Sequence, residues 1–305
     1  MDGRERFLIA LACGEPDRVP VFEQLYHQAL YEHCLGRAPQ WYDNLGAVGL
    51  AARLRIDATV AVYDGYPAFV PAGTHSRWQS EWGVTYELQA CGWPTGYPVD
   101  SFPFDEARIR DWTPPELDAA RRFRTIAEAA ELAHSEGLAL VAGLRGPLAL
   151  VVWHFLGMQD VMIGLTEQPT VIERAVQHYL TFHEPAAEAL AEAGADAVFL
   201  TEDLGSNTGP LLSVDMYRRF FLGALNAVVG RLRACAVPVI LHSDGDVRAF
   251  LPDLLQSGIS ALHPIERRAH MSLSELKRRY GGRLALCGNV DTKEVLSRGT
   301  PEQVR

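Results

Sequence analysis

His242 and Asp244 stand two residues apart in Leu241-His242-Ser243-Asp244-Gly245-Asp246, directly after an apolar run. In an extended chain that spacing turns both side chains to one face. An imidazole and a carboxylate pointing the same way, completed by Glu202, Asp203 or Glu266, offer the nitrogen and oxygen donors that a divalent metal such as zinc accepts. The expected metal ligands are His242, Asp244 and Glu266; the plainer alternative is a His–Asp hydrogen bond that orients a loop. Crowded carboxylates also push at least one pKa upward, as a general acid needs, and Asp64, Asp203 and Asp244 are the candidates.

Other polar groups occupy equivalent places along the chain. Tyr63-Asp64-Gly65, Arg145-Gly146, Thr201-Glu202-Asp203, His263-Pro264-Ile265-Glu266 and Cys287-Gly288-Asn289-Val290-Asp291 each follow a short apolar run. In a parallel barrel all these run ends meet on one face, where the loops leaving the strands build the site. Any one of these residues could be a helix cap (Asp246 or Asp291, for example), but the set as a whole points to a site. No G-x-G-x-x-G follows the first run, and P-loop and G-x-S-x-G motifs are missing, which disfavours hydride transfer, nucleotide hydrolysis and serine-hydrolase chemistry.

The elements that must position these groups alternate in type. Strands are expected at 19–22, 58–62, 138–144, 197–200, 237–241, 259–262 and 284–286, most of them apolar without strict alternation, as in strands buried on both faces. Helices are expected over 120–136, ending at Gly137, and from Ser213 to about residue 234. Asp246 is placed to cap a helix over 247–257, and Ser272-Leu273-Ser274-Glu275 is a capping box. Pro185 should kink or split the helical stretch 170–193. Thr300-Pro301-Glu302-Gln303 starts a helix just before the sequence stops, so the expectation is a (β/α)8 barrel cut before its eighth strand.

Between strands two and three, residues 65–117 form an aromatic-rich excursion with Trp78, Trp82, Trp93, Trp112, Tyr86, Tyr97, Phe102 and Phe104. Turn signals at Pro71-Ala72-Gly73, Cys91-Gly92-Trp93-Pro94 and Gly96-Tyr97-Pro98 suggest a β-hairpin segment that caps the barrel, its aromatics packed together or lining a pocket for a bulky ligand.

Composition fits one large domain over 1–305: 48% hydrophobic and 22% charged residues exclude a disordered chain. A net charge of −10, from 28 basic against 38 acidic residues, disfavours general nucleic-acid binding. The five cysteines are scattered without a C-x-x-C, so neither a disulfide framework nor a zinc finger is expected. No apolar run approaches the ~20 residues of a membrane span, and the charged opening Met1-Asp2-Gly3-Arg4-Glu5-Arg6 leads into no secretory segment; a cytoplasmic location is expected.

Arg4-Glu5-Arg6-Phe7-Leu8 with Glu15-Pro16-Asp17-Arg18-Val19-Pro20-Val21 resembles the opening of the uroporphyrinogen decarboxylase superfamily. The middle segment Gly194-Ala195-Asp196-Ala197 through Ser206 and the C-terminal segments at 241–246, 263–266, 287–291 and 298–302 resemble it too, in the right order, so the likeness covers essentially the whole chain. It implies a (β/α)8 barrel. In true decarboxylases, which need no cofactor, it implies a strand-end Asp, here Asp64, a G-N-x-D matched by Asn289 and Asp291, and an R-Q-A-G-R-Y clamp for propionates. The corresponding stretch, Val21-Phe22-Glu23-Gln24-Leu25-Tyr26-His27-Gln28, has no arginine, and Glu23 among the substrate-contacting residues would repel carboxylates.

The other branch implied by the resemblance transfers methyl groups between methylcobalamin on a corrinoid-binding partner protein and a small acceptor. Members that methylate coenzyme M hold zinc with His-x-Cys and a later Cys; here Asp244 replaces the first Cys, and the later one would lie past Arg305. Glu81-Trp82-Gly83 resembles the methyltransferase-like members. The expectation is therefore a corrinoid-dependent methyltransferase, with His242, Asp244 and Glu266 holding a metal or polarising substrate. Asp64, Glu202 and Asp203 would handle protons, and Glu23, Arg145, Asn289 and Asp291 would contact substrate. A tetrapyrrole decarboxylase is the alternative within enzymes, and a non-catalytic ligand-binding barrel the alternative outside them. A homodimer is compatible with either.

Overall fold

The computed structural model describes residues 1–39, 42–70, 76–88 and 95–304. Cys91, Trp93 and the turn signals at Pro71-Ala72-Gly73 and Cys91-Gly92-Trp93-Pro94 lie outside the described residues.

Seven parallel strands form one sheet: β1 (Phe22–Glu23), β2 (Ala58–Ala61), β3 (Ala139–Arg145), β4 (Ala197–Thr201), β5 (Val239–His242), β6 (Ala261–His263) and β7 (Ala285–Leu286). Their order in the sheet is their order in the chain, with helices in between, as repeated βαβ units dictate. β2 and β4 are buried at every position, which is why their sequences lack a polar alternation.

The sheet is strongly curled. Phe22 on β1 packs edge-on against His263 on β6, ring centroids 6.1 Å apart, whereas in a flat sheet strands that far apart would be ~24 Å from one another. Phe199 of β4 fills the space between, 5.7 Å from Phe22 and 5.0 Å from His263. β1 and β7 do not pair with each other among the described residues, so the observed architecture is a seven-stranded half-barrel where eight strands would close a full one.

At the N-terminal ends of the strands, the buried carboxylates Asp57 and Asp196 are paired. Asp57 receives Arg6, Arg18 and the Val21 amide, and Asp196 receives Arg4 and His134. These contacts tie the helix Gly3–Leu11 across the bottom of the barrel and do structural work.

Several elements depart from expectation for local reasons. The first strand is shifted: Pro20 has no amide to donate, Val19 is exposed, and the Val21 amide bonds the Asp57 side chain in place of a neighbouring strand. The helix expected at 120–136 is broken at Phe123 into Ala119–Arg122 and Arg124–Ser135. The helix after Ser213 runs as Val214–Phe220 and Leu222–Ala234, with Ser213 capping it as expected. Pro185 does not split its helix, which continues from Pro169 to Glu192. Asp246 caps no α-helix: its carboxylate is taken by the Arg248 side chain and amide, and the helix starts at Leu251. The capping box at Ser272 forms as read, and Thr300 and Gln303 exchange side-chain bonds at the last helix.

Within the excursion, Arg77–Gln79, Thr85–Leu88 and Gly96–Asp100 make a three-stranded antiparallel sheet, one strand more than a hairpin. Gly96-Tyr97-Pro98 is strand and not turn, because an outer strand tolerates a proline that cannot donate. Trp82 is buried against Trp112, Phe155 and Phe182. No single helix among the described residues is long and apolar enough to cross a membrane; the apolar pair Pro147–Leu156 and Met158–Glu167 is bent by 113°.

Candidate active site

The C-terminal ends of the strands surround a pocket of about 440 Å3, a size that suits small molecules. Its wall is aromatic and apolar, with Phe22, Tyr26, Tyr66, Phe69 and Phe199, and its polar groups are Glu23, Gln24, Arg145, Thr201, Asp203, His242 and His263. Parallel register explains why they converge. Thr201, His242 and His263 are partners across β4, β5 and β6, and Arg145 is the partner of Thr201 across β3 and β4.

The densest polar cluster is Asp203, His242 and Asp244, each offering a ligand atom within 4.8 Å of the others. His242 lies with Nε2 at 3.6 Å from Asp203 Oδ1 and Nδ1 at 2.9 Å from Nδ1 of His263. Burial, reinforced by Arg145, lowers its pKa to about 4, so the ring is neutral at pH 7. His263, buried beside it, is lowered to about 3. Asp203 adopts a left-handed backbone (φ 52°), and its Oδ1 is buried with no hydrogen-bond partner. Burial raises its pKa against the pull of Arg145. Asp244 is solvent-reachable, yet partial burial and the neighbouring Asp203 and Glu266 raise it to about 6. Imidazole and two carboxylates with no thiolate are donors suited to a divalent ion that accepts nitrogen and oxygen, and the partnerless Asp203 oxygen fits such a ligand role. Glu266 stands outside the cluster: its Oε2 accepts from the Gly245 amide and fixes the loop that carries Asp244.

Arg145 is the cation of the pocket wall. Its guanidinium donates to Thr201 Oγ1 (3.2 Å) and the Pro67 carbonyl (3.1 Å) and lies over the Tyr66 ring at 4.6 Å. Its Nε is buried without a hydrogen-bond partner, and no carboxylate lies within ion-pair distance among the described residues. An anionic group on a ligand would complete it. Glu23 faces the same pocket, its pKa raised by burial.

The remaining predicted residues lie elsewhere. Asp64 is exposed, paired with Arg121 at 3.3 Å, and not among the residues that line the pocket. Glu202 does not line the pocket: it is wholly buried, accepting from the Leu148 amide (3.1 Å) and the Tyr217 hydroxyl (2.8 Å), and burial raises its pKa to about 8. Asn289 donates to the Ile265 and Met271 carbonyls, and Asp291 caps the turn at Lys293 and Glu294. Both are tied to backbone and absent from the pocket wall. The excursion does reach the pocket, through Tyr66, Ala68, Phe69, Thr95 and Gly96, but not through Trp78, Trp82 or Trp112.

Sequence reasoning places His263 among the strand-end groups but gives it no role at the site. Its signal was available: it ends a strand one place along from His242, in the same register.

The comparisons bear on this geometry. A family model described as uroporphyrinogen decarboxylase (URO-D) matches residues 82–305. A methylated-thiol–coenzyme M methyltransferase from Methanosarcina mazei is 25% identical over 167 residues, 55% of this chain and 43% of that protein. A uroporphyrinogen decarboxylase from Xanthomonas axonopodis pv. citri is 35% identical over 124 residues, 39% of this chain and 32% of that protein. The chain thus spans less than half the length of these curated relatives. Among solved structures, a methyltransferase from Methanosarcina mazei superposes over 100% of this chain and 87% of its own with a TM-score of 0.75 at 19% identity, which establishes a shared fold.

Proposed function

The chain belongs to the uroporphyrinogen decarboxylase family, and from that premise we propose that it transfers a methyl group between a corrinoid protein and a small acceptor or methylated donor. The observation that carries this reading is the approach of Asp203, His242 and Asp244 to within 4.8 Å at a pocket of about 440 Å3. Likeness in sequence and in fold to methyltransferases of Methanosarcina mazei supports it.

His242, through Nε2, with Asp203 and Asp244 would hold a divalent ion, which would supply Lewis-acid activation of the substrate heteroatom. Arg145, braced by Thr201 and Tyr66, orients an anionic group of the substrate. Tyr26, Tyr66 and Phe69 exclude water on one side, and residues 65–117 act as the cap of the pocket. Methyl transfer needs close, aligned approach of donor and acceptor, so positioning by this wall supplies much of the rate. Methylcobalamin would arrive on its own partner protein at the strand-end rim, in a homodimer or a single chain alike.

Decarboxylation of a carboxylated tetrapyrrole is the second reading, favoured by the 35% identical segment of the Xanthomonas protein. The pocket opposes it: Arg145 is its lining arginine among the described residues, Glu23 and Asp203 would repel carboxylates, and Asp64 is outside. Parallel anaerobic assays separate the two. Methylcobalamin demethylation, followed by absorbance, is expected; coproporphyrinogen formed from uroporphyrinogen without demethylation would reject methyl transfer.

A further inference from the structure

His242 and His263 are register partners on β5 and β6, and their Nδ1 atoms lie 2.9 Å apart. Two Nδ1 atoms at that distance share one proton: with none, two lone pairs repel, and with two, the N–H groups collide. Ownership of that proton decides what His242 presents at Nε2. If His263 donates, His242 carries its own proton on Nε2 and is a donor to Asp203. If His242 donates, its Nε2 is a bare lone pair.

Asp203 discriminates between the two. Its Oδ1 is buried and has no hydrogen-bond partner, although His242 Nε2 is only 3.6 Å away. An N–H there would be drawn to a carboxylate oxygen at ~2.8 Å. A wider gap between two lone pairs is instead close to the separation of two ligands on one ion, roughly 3.4 Å for tetrahedral bonds of ~2.1 Å. The rings are not free to rearrange, because Phe199 packs against both, 5.2 Å from His242 and 5.0 Å from His263, and Phe22 closes the far side of His263.

We infer that His263 is a positioning residue: it accepts the Nδ1 proton of His242 and so keeps the His242 Nε2 lone pair turned toward Asp203 and Asp244. His263 then carries its own proton on Nε2, and both rings stay neutral. A histidine ligand ordinarily fixes its tautomer by donating to a carboxylate or carbonyl; here a second imidazole takes that part. The inference rests on the reading of the cluster as a cation site.

Cobalt(II) titration of the whole protein tests it, followed by visible absorbance, on wild type, His263→Leu and His263→Asn, with circular dichroism melts as a fold control. Asparagine places an amide oxygen near the old Nδ1 position and can still accept; leucine cannot. Wild type should bind near one equivalent, leucine should weaken binding by about 10–100-fold, and asparagine should recover part of the loss. Folded leucine variant with wild-type affinity, or asparagine no better than leucine, would overturn the inference. If wild type binds no cobalt, the cation reading itself fails. In that case nitrogen-15 imidazole spectra of the metal-free protein decide the role of His263: an Nδ1–H tautomer at His242 sustains it, and an Nε2–H tautomer overturns it.

Discussion

Asp203 takes a left-handed backbone conformation that costs a non-glycine residue on the order of 1 kcal/mol, and Asn and Asp bear it best. Replacing it by asparagine preserves that conformation and shape but removes the charge. Asp203→Asn should therefore weaken divalent-ion binding at least tenfold while leaving the melting temperature unchanged or higher, measured by cobalt titration beside a thermal melt. Loss of binding together with collapse of the fold would instead make Asp203 structural. Glu202, its neighbour, carries a different expectation. Its folded pKa of about 8 lies above the ordinary 4.5, so as pH rises the unfolded chain surrenders this proton first. The stability it contributes is full below about pH 4.5 and is lost as pH rises toward 8. Thermal melts across that window should fall in wild type and flatten in Glu202→Gln. At this scale the sequence was partly legible. His242, Asp244, Asp203 and Arg145 could be read because they follow apolar runs, and Glu23 because it stands where the family resemblance sets a substrate clamp. Asp64, Asn289 and Asp291 follow such runs too, yet serve Arg121, backbone carbonyls and a turn cap, since side-chain direction after a strand end depends on loop geometry that spacing does not encode.

Elements were more legible than individual side chains, because burial on both faces leaves a strong apolar imprint. All seven strands fall within a few residues of their expected places. Departures occur where a tertiary contact outcompetes a local signal. Asp246 has the chemistry of a helix cap but is claimed by Arg248, and Pro185 is carried through by a helix packed along Leu222–Ala234. Trp82 of the excursion joins the main core of the barrel, against Phe155 and Phe182. Trp82 is almost wholly buried and lines no part of the pocket. Trp82→Ala should cost ~3–5 kcal/mol in urea unfolding, while cobalt binding at the folded protein stays near wild type. A large drop in cobalt affinity with little loss of stability would mean that the excursion shapes the metal cluster directly.

At the scale of the molecule, the curled parallel sheet divides two chemistries. Its N-terminal end pairs the buried Asp57 and Asp196, whereas its C-terminal end leaves an Asp203 oxygen and an Arg145 nitrogen without partners among the described residues. Unpaired buried polar atoms are costly, and of the four among the described residues (Tyr63 Oη, Arg145 Nε, His183 Nε2 and Asp203 Oδ1) the two on pocket-lining residues mark where a ligand is expected. The pocket they face is lined by one cation among the described residues, Arg145, beside the carboxyl groups of Glu23 and Asp203, the pattern on which we base the proposal of a small substrate with one anionic group. Uroporphyrinogen should accordingly yield no coproporphyrinogen under anaerobic assay. Family membership covers both chemistries, and the relatives' names divide between them. The most direct measurement is made on one preparation, wild type beside His242→Ala: metal per chain by elemental analysis, and methylcobalamin demethylation by absorbance. Methyl transfer at a metal-holding rim predicts about one divalent ion per chain and demethylation in wild type, both lost in the folded variant. Metal content unchanged by His242→Ala, or no demethylation by metal-loaded wild type, would contradict it.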